Sequence, residues 1–370
     1  MKFVDLDAQY RRLKQDIDRK ILAVVDSGRF ILGPEVGELE RQLGIFAGVD
    51  HVIGVANGTD AISLALMALG IGTGHAVFVP SFTFFATAEA VRLVGAMPVF
   101  VDIDEQTYNL DAAALETAVQ SVVDAGELVP KAIVAVDLFG LPADYESLTT
   151  VATRHELSLI EDAAQSFGGA INGKRACSFG DIATTSFFPA KPLGCYGDGG
   201  AVFTDDESLA EIVRSLRVHG QGAHKYDNIR IGMNSRLDTV QAAVLLAKLS
   251  VFEDELVLRN NHADQLSERL HADFITPVVP LGYDCAWAQY TVRARSHDRD
   301  YYLRKLKEKQ IPSAVYYAKP LHLMPAFADL GYAVGDCPVS EGVATEVFSL
   351  PVHPYLGESD VEFVAETLTS

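Results

Sequence analysis

The sequence has 370 residues, of which 49% are hydrophobic and 22% charged, and this composition excludes a mostly disordered chain. Its formal net charge is −20, from 50 acidic against 30 basic residues. A field of this sign repels nucleic-acid phosphates and anionic lipid, so we expect neither nucleic acid nor a membrane surface as a partner. A small anion can still bind, because a local site can be basic within an acidic protein.

The cysteines and the N-terminal segment predict a protein of the reducing cytoplasm. The four cysteines include no C-x-x-C pair, and a chain of this length builds its core without disulfides. The N-terminal MKFVDLDAQYRRLKQ lacks the apolar core of a signal peptide, and no apolar run approaches the ~20 residues of a membrane helix. The ten histidines show no metal-ligand spacing, so we predict no metal site.

Buried-type strands alternate with helical segments over the first two thirds of the chain. The predicted strands are HVIGVA (51–56), AVFVP (76–80), MPVFVDI (97–103), KAIVAVDLFG (131–140), LSLIEDAAQ (157–165), ATTSFFP (183–189) and GAVFTDD (200–206). The predicted helices are 35–47, DAISLALMALG, TAEAVRLVG and YESLTTVATRH. This alternation is typical of a parallel sheet that is covered by helices on both faces.

The pattern changes at about Asn234, where one long helical stretch begins, either continuous or with a bend. It opens with GMNSRLD, which would place Asn234 and Arg236 together at the N-terminal end of the helix. Beyond it, YTVRA and PSAVYY are strand-like, whereas DRDYYLRKLKEKQ and SDVEFVAETL are helical. We therefore predict a large domain over 10–245 and a smaller α+β domain over 246–370, with residues 1–9 associated with the smaller one.

Two motifs resemble known sites only in part. The segment from Gly168 to Lys174 matches the phosphate-loop pattern G-x-x-x-x-G-K, but Arg175 follows where a hydroxyl residue is required, so we interpret it as a Gly-rich turn. Asp102 and Asp104 resemble the metal-binding pair of sugar-nucleotide transferases. No third ligand is evident, so we interpret them as a solvated turn.

Three further features point to one ligand when they are taken together. Asn57-Gly58-Thr59 is a tight turn that leads from a buried strand into a helix, where free N–H groups can hold a phosphate. Asp162 ends an apolar strand, and Lys191 lies on a loop between two prolines. Each feature alone is more often a helix cap or a surface residue. A phosphate cradle, a carboxylate for a protonated ring nitrogen and an amine for an aldehyde together suit pyridoxal 5′-phosphate (PLP).

Several long motifs resemble those of one protein family. ANGTDAI, PSFTFFATAEAV, VDIDEQTYNLD, EDAAQSFG, TSFFPAKPLGCYGDGG and GMNSRLDTVQAAVL are similar to the fold-type I, PLP-dependent nucleotide-sugar aminotransferases of the DegT/DnrJ/StrS family. The resemblance covers nearly the whole chain. It implies an α/β, aspartate aminotransferase-like fold, with a large, mixed but mostly parallel sheet domain and a smaller α+β C-terminal domain. Within the family, the motifs favour the subgroup that aminates UDP-2-acetamido-2-deoxy-3-oxo-glucuronate at C3.

The resemblance also implies roles for individual residues. Lys191 matches the lysine that forms the Schiff base and transfers protons, and Asp162 matches the carboxylate that pairs with the pyridine nitrogen. The other implied cofactor-binding residues are Gly58, Thr59 and Ser186 at the phosphate, Phe84 on the ring face, Gln165 near the ring hydroxyl, and Asn234 from the neighbouring subunit. Residues near the sugar nucleotide would be Arg236, Tyr316 and Tyr317, although relatives often carry histidine in place of Tyr316. A homodimer with shared active sites follows.

The implied reaction moves an amino group from L-glutamate to a 3-oxo sugar that is linked to a nucleotide, UDP in the favoured subgroup. The product would enter a surface polysaccharide, such as lipopolysaccharide, or another glycoconjugate. Two alternatives stay open at this point. One is a non-catalytic, PLP-binding regulatory member of the same fold. The other is a nicotinamide-dependent sugar oxidoreductase. The sequence argues against this alternative, because no G-x-G-x-x-G motif follows a strand.

Overall fold

The computed structural model describes residues 1–295 and 298–370. Its strands are β1 His51–Val55, β2 His75–Pro80, β3 Met97–Val101, β4 Val129–Val136, β5 Ser158–Asp162, β6 Ala170–Ile171, β7 Lys174–Arg175, β8 Ile182–Ser186, β9 Gly200–Thr204, β10 Phe274–Ile275, β11 Tyr283–Asp284, β12 Tyr290–Ala294 and β13 Val347–Leu350. Its α-helices are α1 Leu6–Ser27, α2 Pro34–Ala47, α3 Gly58–Ala68, α4 Ala86–Leu93, α5 Ala112–Ala125, α6 Tyr145–Arg154, α7 Glu207–Leu216, α8 Thr239–Leu249, α9 Phe252–Leu270, α10 Arg299–Glu308, α11 Pro338–Glu346 and α12 Glu358–Thr369.

The main sheet has seven strands in the order β1-β9-β8-β5-β4-β2-β3. Strand β9 runs antiparallel to both neighbours, and the remaining pairs are parallel. Side chains alternate between the two faces, so Val77 and Val79 join one apolar core while Phe78 joins the other. Helices therefore cover both faces, and the predicted α/β fold with a mixed, mostly parallel sheet is confirmed.

Two smaller sheets complete the described strands. An antiparallel sheet β10-β12-β13 packs with α9, α10 and α12 in the C-terminal third of the chain. The other small sheet, β11-β6-β7, contains the hairpin that joins β6 to β7. This hairpin turns at Asn172-Gly173, where both residues have positive φ, so the phosphate-loop look-alike is the Gly-rich turn that the sequence predicts.

The predicted start of the long helical stretch at Asn234 is wrong. Helix α8 starts at Thr239, and Ser250-Val251 separates it from α9. Asn234 and Arg236 therefore precede the helix instead of forming its N-terminal end. Backbone contacts with distant residues keep their segment extended. Asn234 pairs with Val218 in an isolated antiparallel bridge, and the amide of Thr239 donates to the carbonyl of Phe30 at 3.0 Å.

The predicted strand PSAVYY is also absent from the structure. Only Ala314 pairs with β13, through two hydrogen bonds with Ser349 at 2.7 and 3.2 Å. The next residues leave this sheet, and Val315, Tyr316 and Tyr317 line the large cavity described below. The apolar residues of this segment therefore line a cavity instead of forming a strand.

Residues 321–344 return from the C-terminal region to the main sheet. Leu321 and Phe327 are buried in the core that covers β2 and α4, and the amide of Leu321 donates to the carbonyl of Ser81 at 2.7 Å. Asp102 accepts hydrogen bonds from the amides of Val339 and Ser340, both at 2.9 Å, at the start of α11. Asp102 is thus a helix-anchoring residue, and its interpretation as a solvated turn is wrong.

The N-terminal residues contact α9 and the segment around His353 in the C-terminal region. The side chain of Gln9 donates to the buried carboxylate of Glu255 on α9 at 2.9 Å, and the carbonyl of Lys2 bonds to the ring of His353 at 3.2 Å. Within the described residues, no helix combines the length and the apolarity needed to cross a bilayer. The same residues contain no group of three or more side chains placed to ligate a metal.

Candidate active site

A cavity of about 950 Å³ opens at the carboxyl ends of the parallel strands. In open α/β sheets, ligands bind at this edge, because the loops that follow the strands converge there. The large-sheet side is formed by the loops after β1, β2, β5 and β8. Gln289 and the segment Val315–Tyr317 also line the cavity. Nine of the residues proposed from the sequence line it: Gly58, Thr59, Phe84, Asp162, Gln165, Ser186, Lys191, Tyr316 and Tyr317.

One end of the cavity has the features of an anion cradle. Helix α3 begins at Gly58, and the side chain of its N-cap Asn57 accepts the amide of Asp60 at 2.8 Å. The N-terminal amides and the helix dipole together favour a phosphate. A Cβ added at Gly58 would lie 2.8 Å from the Cβ of Ser186, so glycine is needed to keep the helix N-terminus beside the Ser186 hydroxyl.

Asp162 is a buried carboxylate on the floor of the cavity, at the end of β5. The hydroxyl of Thr87 donates to one oxygen at 3.1 Å, and the amide of Ala164 donates to the other at 3.2 Å. Burial raises the pKa of Asp162, although these hydrogen bonds and the Lys191 charge oppose the rise. A cationic ring nitrogen placed here would stabilise the ionised carboxylate.

Lys191 lies on a tightly packed loop between β8 and β9. Its amide donates to the carbonyl of Phe188 at 2.8 Å. The ammonium of Lys248, buried on α8, donates to the carbonyl of Gly194 in the same loop at 2.6 Å. The side chain of Lys191 is half-buried. Desolvation lowers its pKa, and the nearby Asp162 opposes this effect. A lowered pKa increases the fraction of neutral amine, the form that attacks an aldehyde.

A polar and aromatic wall connects these groups to the C-terminal region. Buried Gln165 accepts a hydrogen bond from the amide of Phe139 at 2.8 Å and donates to the hydroxyl of Tyr317 at 3.3 Å. The ring of Tyr317 lies 6.3 Å, between centroids, from that of half-exposed Phe84. Burial raises the pKa of Tyr317 and of Tyr316, so both phenols stay protonated at neutral pH.

Sequence reasoning missed a pair of buried acids behind Asp162. Asp137 accepts hydrogen bonds from the Tyr145 hydroxyl at 2.7 Å and the Ser166 hydroxyl at 2.5 Å, and burial raises its pKa to about 7. Glu161 accepts from the amide of Phe179 at 2.8 Å, and burial raises its pKa as well. The sequence contains a signal for both acids, because each lies within or at the end of an apolar strand, KAIVAVD or LSLIED.

Asn234 and Arg236 are not among the residues that line the cavity of their own chain. Asn234 is exposed and Arg236 is partly exposed, on the extended segment before α8. The described structure of one chain therefore brings together nine of the sequence-derived site residues and leaves these two outside.

The fold and the site define the class of protein. An anion cradle, a buried carboxylate and a lysine of lowered pKa share one cavity at the edge of a fold-type I sheet, and these residues fit PLP. The sequence model of the DegT/DnrJ/EryC1/StrS aminotransferase family matches residues 11–369 of this chain. The chain belongs to this family.

Two relatives match the chain from end to end. It is 46% identical over 371 residues to the UDP-2-acetamido-2-deoxy-3-oxo-D-glucuronate aminotransferase of Pseudomonas aeruginosa, with 100% of both chains covered. It is 44% identical over 369 residues to the pleiotropic regulatory protein of Geobacillus stearothermophilus, with 99% of this chain and 96% of the relative covered.

Solved structures agree with the fold and the cofactor. A DegT DnrJ EryC1 StrS aminotransferase from Brucella abortus superposes with a TM-score of 0.97 at 51% identity, covering 100% of this chain and 98% of that one. NtdA from Bacillus subtilis, with bound cofactor PMP, superposes with a TM-score of 0.89 at 30% identity, covering 99% and 82%. The chain is a PLP-dependent sugar aminotransferase, so this prediction is confirmed and the nicotinamide alternative is wrong.

Proposed function

We propose that this enzyme transfers the amino group of L-glutamate to the keto group of a UDP-linked 3-oxo sugar. The observation that carries the proposal is the convergence of Lys191, Asp162 and the Gly58–Ser186 cradle in one cavity. The choice of sugar nucleotide is supported by the 46% identity to the Pseudomonas enzyme. When bound, PLP supplies an electron-withdrawing ring and carries the amino group from donor to acceptor.

The residues of the large sheet bind and orient that cofactor. Gly58, Thr59 and Ser186 would hold its phosphate, through the N-terminal amides of α3 and the hydroxyl groups. Asp162 would keep the ring nitrogen protonated by ion pairing. Phe84 would cover one ring face, and Gln165 would lie near the ring hydroxyl, held by its hydrogen bond from the Phe139 amide.

Lys191 would serve as both the attachment point and the proton carrier. Its Nζ would bind the cofactor's aldehyde carbon until the amino donor replaces it. The free Nζ would then take the proton from the donor's α-carbon and deliver it to the cofactor's C4′ carbon. A lowered pKa suits this task, because the amine must accept and release a proton near neutral pH.

The sugar nucleotide would bind on the side of the C-terminal region, near Tyr316 and Tyr317. Asn234 and Arg236 would complete the cavity of a partner subunit in a homodimer, because they lie outside the cavity of their own chain. Exposed apolar side chains at Phe30, Ile31 and Leu32, beside the same extended segment, support an interface here. We place the reaction in the cytoplasm, in the synthesis of a surface polysaccharide such as lipopolysaccharide or another glycoconjugate.

Borohydride reduction followed by peptide mapping tests the attachment point. The pyridoxyl group should be found on Lys191, and the Lys191→Ala variant should carry none. A label on Lys174, or no label on the wild-type chain, would overturn the assignment.

A panel of keto-sugar nucleotides, analysed by mass spectrometry, tests the substrate. L-Glutamate should be converted to 2-oxoglutarate, and the UDP-linked 3-oxo sugar should gain an amino group. A protein that binds PLP but converts neither compound would be the non-catalytic regulatory form of the fold. A preference for another ring carbon or nucleotide would overturn the proposed substrate.

A further inference from the structure

The extended segment before α8 alternates between buried and exposed side chains. Ser235 and Leu237 are fully buried, whereas Asn234 is exposed and Arg236 is partly exposed. Successive side chains of an extended chain point to opposite sides. The two buried residues therefore anchor the segment on its own subunit, and this anchoring turns Asn234 and Arg236 outward.

The side chain of Ser235 connects this segment to the turn that opens the anion cradle. Its hydroxyl accepts a hydrogen bond from the amide of Ala56 at 3.1 Å. Ala56 immediately precedes Asn57, the N-cap of α3, and lies two positions before Gly58. Because the hydroxyl holds the backbone at Ala56, it also limits how far the start of α3 can shift.

The main chain of Ser235 is held by a largely buried ion pair. Its amide donates to the carbonyl of Arg217 at 2.9 Å. The guanidinium of Arg217 donates to the carboxylate of Glu40 at 2.7 Å and to the carbonyl of Gly54 at 2.8 Å. The amide of Gly54 donates to the same Glu40 oxygen at 2.8 Å. Ser235 is therefore fixed through its main chain as well as its side chain, within one network that includes β1.

We propose that Ser235 is a positioning residue for two active sites at once. It holds the anion cradle of its own chain, through Ala56, and it orients Asn234 and Arg236 toward the site of the partner subunit. Ser235 is fully buried outside the cavity, so it acts through these neighbours and touches no ligand itself. The assignment rests on the proposed function, because it requires the shared sites of the homodimer.

Heterodimers purified with two affinity tags separate the two effects of Ser235→Ala. The first chain carries Lys191→Ala and gives its Asn234 and Arg236 to the one intact site. The second chain carries Asn234→Ala with Arg236→Ala and gives that site its lysine and its cradle. Ser235→Ala on the first chain tests the partner's site, and on the second chain it tests the chain's own cradle. Only the second chain attaches PLP covalently, so the absorbance of the attached cofactor reports on the intact site alone.

Ser235→Ala on either chain should raise the Kd for PLP at the intact site by about 3- to 10-fold, the effect of one lost hydrogen bond between neutral groups. On the first chain it should also raise KM for the keto-sugar nucleotide by a similar factor, because Arg236 loses its support.

Thr204→Val is the matched control for a loss of stability. Thr204 is buried at the opposite edge of the sheet, beside the start of β1, and its hydroxyl also accepts an amide, that of Asp206, at 3.1 Å. This variant should lower Tm about as much as Ser235→Ala does, and should leave Kd and KM unchanged.

Three results would overturn the assignment alone, in heterodimers that are active without Ser235→Ala. These results are no effect of Ser235→Ala, an effect on one of the two chains only, and equal losses of affinity in Thr204→Val. Heterodimers that are inactive even without Ser235→Ala, although subunit exchange is verified, would instead show that the sites are not shared. That result overturns the shared site of the proposed function, and this assignment with it.

Discussion

Asp162 is a buried carboxylate whose ionised form a cationic ring nitrogen in the cavity would stabilise. Replacing it with Asn should slow turnover by about two to four powers of ten, because loss of one partner of a buried ion pair costs on the order of 3–5 kcal/mol. The cofactor should still bind through its phosphate, which absorbance will show. Asp198→Asn is the control, since Asp198 borders the same cavity but is exposed. A near-normal kcat for Asp162→Asn would contradict the proposed role.

Asp137 makes stability depend on pH. Its pKa is about 7 in the folded protein and about 4 in an unfolded chain, so the native state binds the extra proton between these values. The contribution of Asp137 to the free energy of unfolding should therefore be greatest below pH 4 and fall as the pH rises toward 7. Asp137→Asn should reduce this fall, measured as Tm between pH 5 and 8.

Asp144→Asn is the control for this experiment. Asp144 is exposed and caps α6 through the amide of Ser147, a role that Asn also performs. Its replacement should leave the pH dependence as it is in the wild type. If Asp137→Asn showed the same decline in Tm as the wild type, Asp137 would not be the group responsible.

Individual site residues were predictable where chemistry and position coincide in the sequence. Lys191 and Asp162 end or follow apolar strands, so the edge of a parallel sheet brings them together. Thr87 and Gln289 were not predictable, because their partners are distant in the chain: Thr87 bonds to Asp162, and Gln289 packs on Phe139. Such contacts depend on how separate elements dock, which no local pattern encodes.

At the scale of elements, the strands of the main sheet were predicted from their apolar runs. Helices α1, α5, α7 and α11 were not predicted, although their buried side chains recur on one face, as Leu115 and Val119 do in α5. The interruption between α8 and α9 has no Gly or Pro to mark it. The wrong start for this helix, at Asn234 instead of Thr239, likewise reflects pairing with Val218 and Phe30, which are far away in the sequence.

The start of α3 gives a prediction about cofactor affinity. Gly58→Ala should weaken PLP binding about 10- to 100-fold, because the new methyl group would force Ser186 away and remove charge-assisted hydrogen bonds to the phosphate. Titration of cofactor-free enzyme with PLP measures this Kd. Gly37→Ala is the control: it lies in α2, with open space around the added Cβ. An unchanged Kd for Gly58→Ala would argue against the cradle.

At the scale of the whole molecule, shared active sites can be tested with mixed dimers. One chain carries Lys191→Ala, and the other carries Asn234→Ala with Arg236→Ala; each homodimer should be inactive. In a shared-site heterodimer, one site holds both lesions and the other none. Activity should return on mixing, up to about half the wild-type value per heterodimer.

The same experiment distinguishes shared sites from sites that are built from a single chain. Every site in the mixture would then contain a lesion, and activity could not return. Subunit exchange must be verified, for example with two affinity tags. Exchange without recovered activity would reject the proposal that Asn234 and Arg236 act in the partner's site.

The return of residues 321–344 to the main sheet has a consequence for motion. Hinge closure over a ligand requires two bodies joined by a few residues that absorb the rotation. Here such a rotation would break the bonds from Leu321 to Ser81 and from Ser340 to Asp102, and would pull Phe327 out of the core. We therefore expect the main-sheet region and the C-terminal region to move as one body. Discrimination between sugars would then depend on fit to a preformed cleft, without a closing step that could reject a poor substrate.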